Sequence, residues 1–431
     1  MKTLFVPVKS VWFVIPAVCF SFLLFCQQVS AQGVLLRGNG AVNEGIGSVA
    51  TATPIDAAGA IMWNPASISA FEKNEISVGL GLILPKSRVT SGFDIPGTGT
   101  APDIHVGGST KSVSDSVPVP SMAFVWKRCK HSPLTYGFGL AGAGGAAVLY
   151  PADPTNPVLG GLAKSSNVIV LQMTPTVSYQ VTKQLSVGVA PIIDLASLQI
   201  NPMQLGQTLG TEMHNYGTTY AWGGGFQIGA LYDFKNHWKT GFMFKSPIWA
   251  ENLRQTGTDP HTGKRLDGSF DLNLPMTLSW GVSYSGVRDT IIGLDVRYID
   301  YGNTVGFKDS INPATGRVDG LGWDSVMAVA VGLERKINKK MKARIGYCWN
   351  ENPIPGRSAA LNVSAPLMVQ HVLGFGATYA IVKDLEASAT YSIAFKGATE
   401  GPFPVGNTGL VGTVKNESRA DTLLFGITKK W

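Results

Sequence analysis

The residues best suited to chemistry in this 431-residue chain are six histidines and a set of charged side chains set into otherwise apolar or small-residue segments. The histidines, at 105, 131, 214, 237, 261 and 371, are scattered, and no pair stands at a metal-ligand interval. No catalytic residue, metal or cofactor is expected. "GNGAVNEG" at 38–45 has the glycines of a dinucleotide loop, but it lacks a preceding strand and the spacing to a third glycine, so it reads as a flexible segment. The charged set comprises Lys245, Arg297 and Arg344 with Asp194, Asp295, Glu334 and Glu386. An arginine can hold a carboxylate through two hydrogen bonds, which makes the three cations candidate ligand contacts. Alternatively the charges pair among themselves, as Asp295 and Arg297 would.

What those side chains do depends on the elements that carry them. Period-two alternation runs through long segments: Leu385, Ala387, Ala389, Tyr391, Ile393 and Phe395 share one face, with Glu386, Ser388, Thr390, Ser392 and Ala394 on the other. Tyr220 to Phe234 and Phe270 to Tyr284 repeat the pattern. Strands are expected near 75–90, 119–129, 134–149, 167–181, 184–200, 218–234, 238–253, 270–285, 289–305, 322–336, 340–352, 367–382, 385–397 and 419–431. They make an even number, and the connections alternate between long and short. A closed antiparallel barrel in an outer membrane accounts for both, because closure satisfies every backbone group in lipid, and periplasmic turns are short while surface loops are long. Soluble sandwiches have shorter strands and no such parity. The apolar faces then meet lipid and the charged set points into the lumen. Trp238, Trp249, Tyr284, Tyr301, Trp323, Tyr347, Trp349 and Tyr379, near strand ends, are expected in interfacial girdles.

The first 31 residues carry Lys2 and Lys9, an apolar run from Val11 to Cys26 interrupted by Pro16, and Val29-Ser30-Ala31, the layout of a secretory signal peptide. Its loss removes two of the 35 bases and two of the four cysteines, leaving 33 bases against 28 acids, with Cys129 and Cys348 expected to stay unbridged. The bases are spread along the chain with no basic block, which argues against nucleic acid as a partner.

Residues 32–73 precede the first strand and read as a plug, or hatch, folded into the lumen of the 74–431 barrel. Ala50, Ala52, Ala57, Ala58, Gly59 and Ala60 allow close packing, and Asn64-Pro65 stops a short helix. "GIGSVATATPIDAAGAIMWNPASIS" resembles the N-terminal hatch of the FadL/TodX (OMPP1) family, with the family's motif at Asp56-Ala57 and Asn64-Pro65-Ala66. The resemblance continues through "LNLPMTLSWGVSY", "ARIGYCWNENPIPGRSAALNVSAP" and "HVLGFGATYAIVKDLEASATYS" to the closing strand at Trp431.

The resemblance implies a fourteen-stranded all-β barrel that passes long-chain fatty acids or aromatic hydrocarbons passively across the outer membrane. Ligand would reach an apolar pocket near the hatch and leave sideways through a kink in the third strand. It also implies that the mature N-terminus enters the pocket, commonly with a Phe at the third residue; here that residue is Val34, followed by Leu35. The candidate third strand carries Gly137, Gly139, Gly142, Gly144 and Gly145, which either permit a kink or pack against the hatch. The expected partners are a lipophilic ligand, outer-membrane lipid and the barrel-assembly machinery, with the protein a monomer. An outer-membrane lipase, needing a serine beside His371, and a porin or adhesin are the weaker alternatives.

Overall fold

The computed structural model describes residues 32–431 apart from 99, 101, 130, 131, 209, 210, 216, 261, 309 and 407. The signal peptide expected at 1–31 lies outside the described residues. The chain after the hatch forms strands β1 (Glu75–Ile95), β2 (Ile104–Lys111), β3 (Val117–Trp126), β4 (Leu134–Tyr150), β5 (Lys164–Gln180), β6 (Leu185–Asn201), β7 (Thr219–Asp233), β8 (Trp238–Lys245) and β9 (Trp249–Ala250). It continues with β10 (Leu253–Thr258), β11 (Arg265–Phe270), β12 (Thr277–Tyr284), β13 (Thr290–Ile299), β14 (Val326–Lys336), β15 (Met341–Asn350), β16 (His371–Val382), β17 (Leu385–Pro404) and β18 (Val411–Lys430).

Fourteen of these make the wall. β1 and β3–β8 are followed directly by β12–β18, each antiparallel to its neighbour, and β18 pairs back to β1 from Glu75–Lys430 to Gly92–Thr413. Closure removes both sheet edges, which lipid would leave unsatisfied. β2 extends β1 as an outer hairpin, β9 adds a short pairing to β7, and β10–β11 form a separate hairpin.

The alternating faces lie as read: Tyr220, Trp222, Phe226 and Ile228 are exposed outward, while Ser388, Thr390 and Ser392 are buried. Two stretches differ. Residues 270–276 are not wall strand; Phe270 and Leu274 are buried in the lumen, so their alternation reflects packing under the loops. The 238–253 segment leaves the wall at Lys245. Tyr301 and Trp323, expected in the girdles, are instead fully buried with Phe307, the three rings 4.8–5.0 Å apart. β17 and β18 run past the membrane as a polar hairpin that no apolar alternation marks.

Residues 32–74 occupy the lumen. Helices at Gly40–Gly45 and Ala57–Trp63 and a 3-10 turn at Pro65–Ala70 pack against the inner wall, and Ala57–Trp63 is buried along its whole length. Short turns and both ends of the barrel share one rim, where Asn74 and Trp431 exchange backbone hydrogen bonds.

Candidate ligand pathway: hatch seat, cavity and wall opening

The motif residues build the hatch. The Asp56 carboxylate accepts from Gly59 N at 3.2 Å and starts the Ala57–Trp63 helix, while Glu75 of β1 accepts from Ala57 N at 2.9 Å. Burial, and next the facing Glu75, push the Asp56 carboxyl up to about 7. Asn64 ends the helix: its amide donates to Thr51 O at 2.7 Å and to Ala230 O of β7 at 2.9 Å, and its side-chain oxygen accepts from Ala66 N. Pro65 opens the 3-10 turn, and Ala66 is wholly buried against Leu231.

The wall grips this body by its backbone. Asp295 Oδ2 accepts from Ala50 N, Thr51 N and the Thr51 hydroxyl at 2.9–3.0 Å and is paired with Arg297 at 3.0 Å. Arg297 donates to Ser48 O and lies 3.5 Å from the centroid of the Trp63 ring. Wall glycines admit the hatch where a side chain would strike it. A Cβ at Gly332 or Gly346 would stand 2.0 Å from the Ile46–Gly47 peptide, at Gly229 2.1 Å from Asn64 Oδ1, and at Gly241 2.2 Å from Thr51 O.

The three sequence-predicted cations separate. Arg297 is committed to Asp295 and the hatch, and Arg344 to Glu334 at 2.6 Å and to the Thr378 hydroxyl; neither borders the main cavity. Lys245 reaches Gln172 at 3.4 Å, which in turn donates to Asp194 at 2.9 Å. Lys245 edges a void of about 20 Å³ shared with Leu35, Leu36 and Trp63.

Above the hatch a cavity of about 420 Å³ is lined by Val34, Val168, Leu198, Phe270, Leu361 and Phe403, among others. Its polar lining comprises Ser166, Gln204, Ser364 and the pair Lys164–Glu212 at 2.6 Å, with Lys164 its cation. None of these residues was singled out in the sequence, because most of the lining comes from loops and strand ends with no shared period.

Beside the cavity the wall is unzipped. The β3–β4 ladder ends at Ser121–Ala141, and β4 carries a bulge between Gly142 and Gly144. Among the described residues the next backbone bond between these stretches is Val113 N to Leu149 O. Pro118 and Pro120 lie on the β3 side of the break and have no N–H to donate. Prolines two apart in a strand are the sequence signal that would have marked it. The five glycines divide between the two expected roles: Gly137 and Gly139 pack on Ile61 of the hatch, whereas Gly142, Gly144 and Gly145 surround the bulge.

The N-terminal residues lie across the inside of this break. Leu36 N donates to Ala143 O and Gly145 N to Val34 O, both at 2.9 Å. Tyr301 holds the other side, donating to Gln32 O at 2.6 Å and accepting from Leu35 N at 3.3 Å. Gly33 has φ +66, and a Cβ there would stand 2.6 Å from Trp323, so only glycine fits.

A family model described as outer membrane protein transport protein (OMPP1/FadL/TodX) matches residues 22–430. The chain belongs to this family. It is an outer-membrane β-barrel of a family that transports hydrophobic compounds. A crystal structure of a Pseudomonas aeruginosa FadL homologue is similar in fold, with a TM-score of 0.71 at 14% identity over 92% of this chain and 99% of that one. The Pseudomonas putida toluene transporter TodX (TM-score 0.68, 18%) and the Ralstonia pickettii toluene transporter TbuX (0.64, 17%) match over the same shares. No protein of curated function matches the chain in sequence. Val34 links the cavity, which it lines, to the β4 bulge, where its carbonyl accepts from Gly145 N.

Proposed function

We propose that this chain carries a long, lipophilic molecule from the outer surface into the 420 Å³ cavity and releases it sideways between β3 and β4, down its own partition gradient. The observation that carries this reading is that Val34 lines the cavity while its carbonyl accepts from Gly145 N at the β4 bulge, where the wall is unpaired. An apolar solute gains about 25 cal/mol per Å² of apolar surface removed from water, so a path from cavity to lipid avoids a penalty that an aqueous exit below the hatch would impose.

Size favours a chain-like ligand. An apolar cavity of about 150 Å³ suffices for benzene, and this one is about 420 Å³. Lys164 would take the carboxylate of a fatty acid, exchanging Glu212 for it. A second reading, an aromatic hydrocarbon, is favoured by Phe270, Phe307, Trp323 and Phe403 in the lining. Val34 and Leu35 are then gate residues that touch ligand, and Lys245 stands just behind them. No covalent chemistry is required.

The test is uptake of labelled oleate and labelled toluene by transporter-deficient cells expressing the chain, with Lys164→Met beside it. Oleate uptake that falls in the variant, with toluene unaffected, supports the fatty-acid reading. Toluene uptake alone moves the substrate to hydrocarbons, and uptake of neither by the correctly inserted barrel rejects the proposal.

A further inference from the structure

The bases that look scattered in sequence converge in space. Each short turn of the wall brings one to the rim that holds the chain ends: Arg128, Lys183, Lys235, Arg288, Lys339 and Lys383 are all exposed, and Lys429 adds another beside the closing strand. Acids on this rim are largely taken. Asp233 pairs with Lys239, Asp289 with Arg288, and Asp384 with Lys73. Among the described residues, Arg128, Lys183, Lys235, Lys339 and Lys383 have no ion pair, and neither do Arg335, Lys336 and Lys340 nearby.

A second regularity accompanies the charge. An exposed apolar side chain stands one or two residues before the base in every turn: Trp126, Val181, Phe234, Val287, Ile337 and Val382. This order places an anchor in the hydrocarbon and a cation at the depth of the headgroups, where basic side chains attract anionic lipid. At the opposite end exposed charges more often meet a partner, as in Arg265–Asp267, Arg317–Asp319, Arg357–Asp324 and Lys396–Glu417.

We propose that this rim is a binding surface for anionic phospholipid headgroups of the inner leaflet of the outer membrane, formed by one apolar–basic step per periplasmic turn. The ring follows the full circumference and its apolar steps face lipid, which favours a membrane over a soluble acidic protein seated on one sector. Its spacing also explains why no basic block exists in the sequence: the turns recur about every 50 residues, as two strands and a surface loop require.

The experiment reconstitutes the chain into phosphatidylcholine vesicles and measures the association of spin-labelled phosphatidylglycerol against spin-labelled phosphatidylcholine. The expected preference for the anionic label is roughly threefold, shrinking as salt rises to about 1 M. A variant carrying R128Q, K183Q, K235Q, R288Q, K339Q and K383Q should associate equally with both labels while migrating as a folded barrel. A control with R254Q, K264Q, R265Q and K308Q, at the other end, should keep the preference. Equal association of both labels with the unmodified chain, or a preference that survives in the six-fold variant, overturns the proposal. Capture of an acidic soluble protein without any lipid preference also overturns it and assigns the rim to that partner.

Discussion

The hatch body and residues 32–36 of the same segment meet the barrel in opposite ways. From Ile46 to Ala66 the hatch is pressed against glycines and held by Asp295, Arg297, Asn64, Ser283 and Gln227 through hydrogen bonds to backbone atoms. Residues 32–36 meet the wall through two backbone bonds at the bulge of β4, one Gln32–Cys348 contact at 3.3 Å on β15 and the apolar packing of Val34, with Tyr301 behind them. A buried charged latch is costly to break once one partner is lost, about 3–5 kcal/mol, whereas a single neutral hydrogen bond contributes about 1 kcal/mol. The weaker hold on residues 32–36 marks them as the expected moving part, with the hatch body as the floor.

Breaking the latch should give the largest effect. Arg297→Met leaves Asp295 buried without its counter-charge. The expected loss is about 3–5 kcal/mol of hatch seating, read as protease cleavage within 46–66 and as steady leak conductance in planar bilayers. Protection and conductance unchanged from the parent would remove the distinction between floor and gate.

Crowding the floor comes next. Gly332→Ala puts a methyl 2.0 Å from Ile46 O, backbone that has little room to give. Overpacking of this kind costs about 1–3 kcal/mol, and the melting temperature of the barrel should fall while β3–β4 remains as it is. Leu36→Pro removes the N–H bonded to Ala143 O and should loosen residues 32–36 by about 1 kcal/mol. Ligand should then leave several-fold faster with the protease resistance of 46–66 intact; a hatch that becomes labile would show that residues 32–36 and the body move together.

The smallest effect is on pH. Asp56 has a carboxyl raised in the folded hatch above its ordinary value of 3.8 to about 7. Its contribution is therefore fully present below pH 4 and is lost as pH rises through about 7. Hydrogen-exchange protection factors of residues 57–63 should decline over that interval and level off above it. Asp56→Asn keeps an N-cap acceptor and should flatten the profile.

Much of this architecture was legible in the sequence. Wall strands whose inner faces carry small residues packed on the hatch keep strict alternation, so Tyr220–Phe234 and Leu385–Phe395 show their outward faces directly. The hatch was legible through Asp56-Ala57 and Asn64-Pro65-Ala66, whose short-range hydrogen bonds depend on residue type at fixed spacing. Legibility failed where two environments share one pattern. Phe270 and Leu274 alternate like lipid-facing residues but pack beneath loops, and Tyr301 and Trp323 sit near strand ends yet close the lumen around Gln32 and Gly33. Pairwise choices such as Asp295 with Arg297 were visible, but their hold on Ala50 and Thr51, some 245 residues away, was not. The cavity itself is assembled from segments as distant as Val34 and Val405.

Exit of ligand between β3 and β4 requires that gap to widen. Val119 and Gly142 face each other at its foot, where a Cβ on Gly142 would stand 3.8 Å from Val119 Cβ, the separation typical of a disulfide. The measurement is labelled oleate uptake by Val119→Cys, Gly142→Cys in a Cys129→Ser background, before and after reduction. Lateral exit requires the oxidised form to lose most of its uptake and reduction to restore it; an oxidised, correctly inserted barrel that transports as well as its parent rules that exit out.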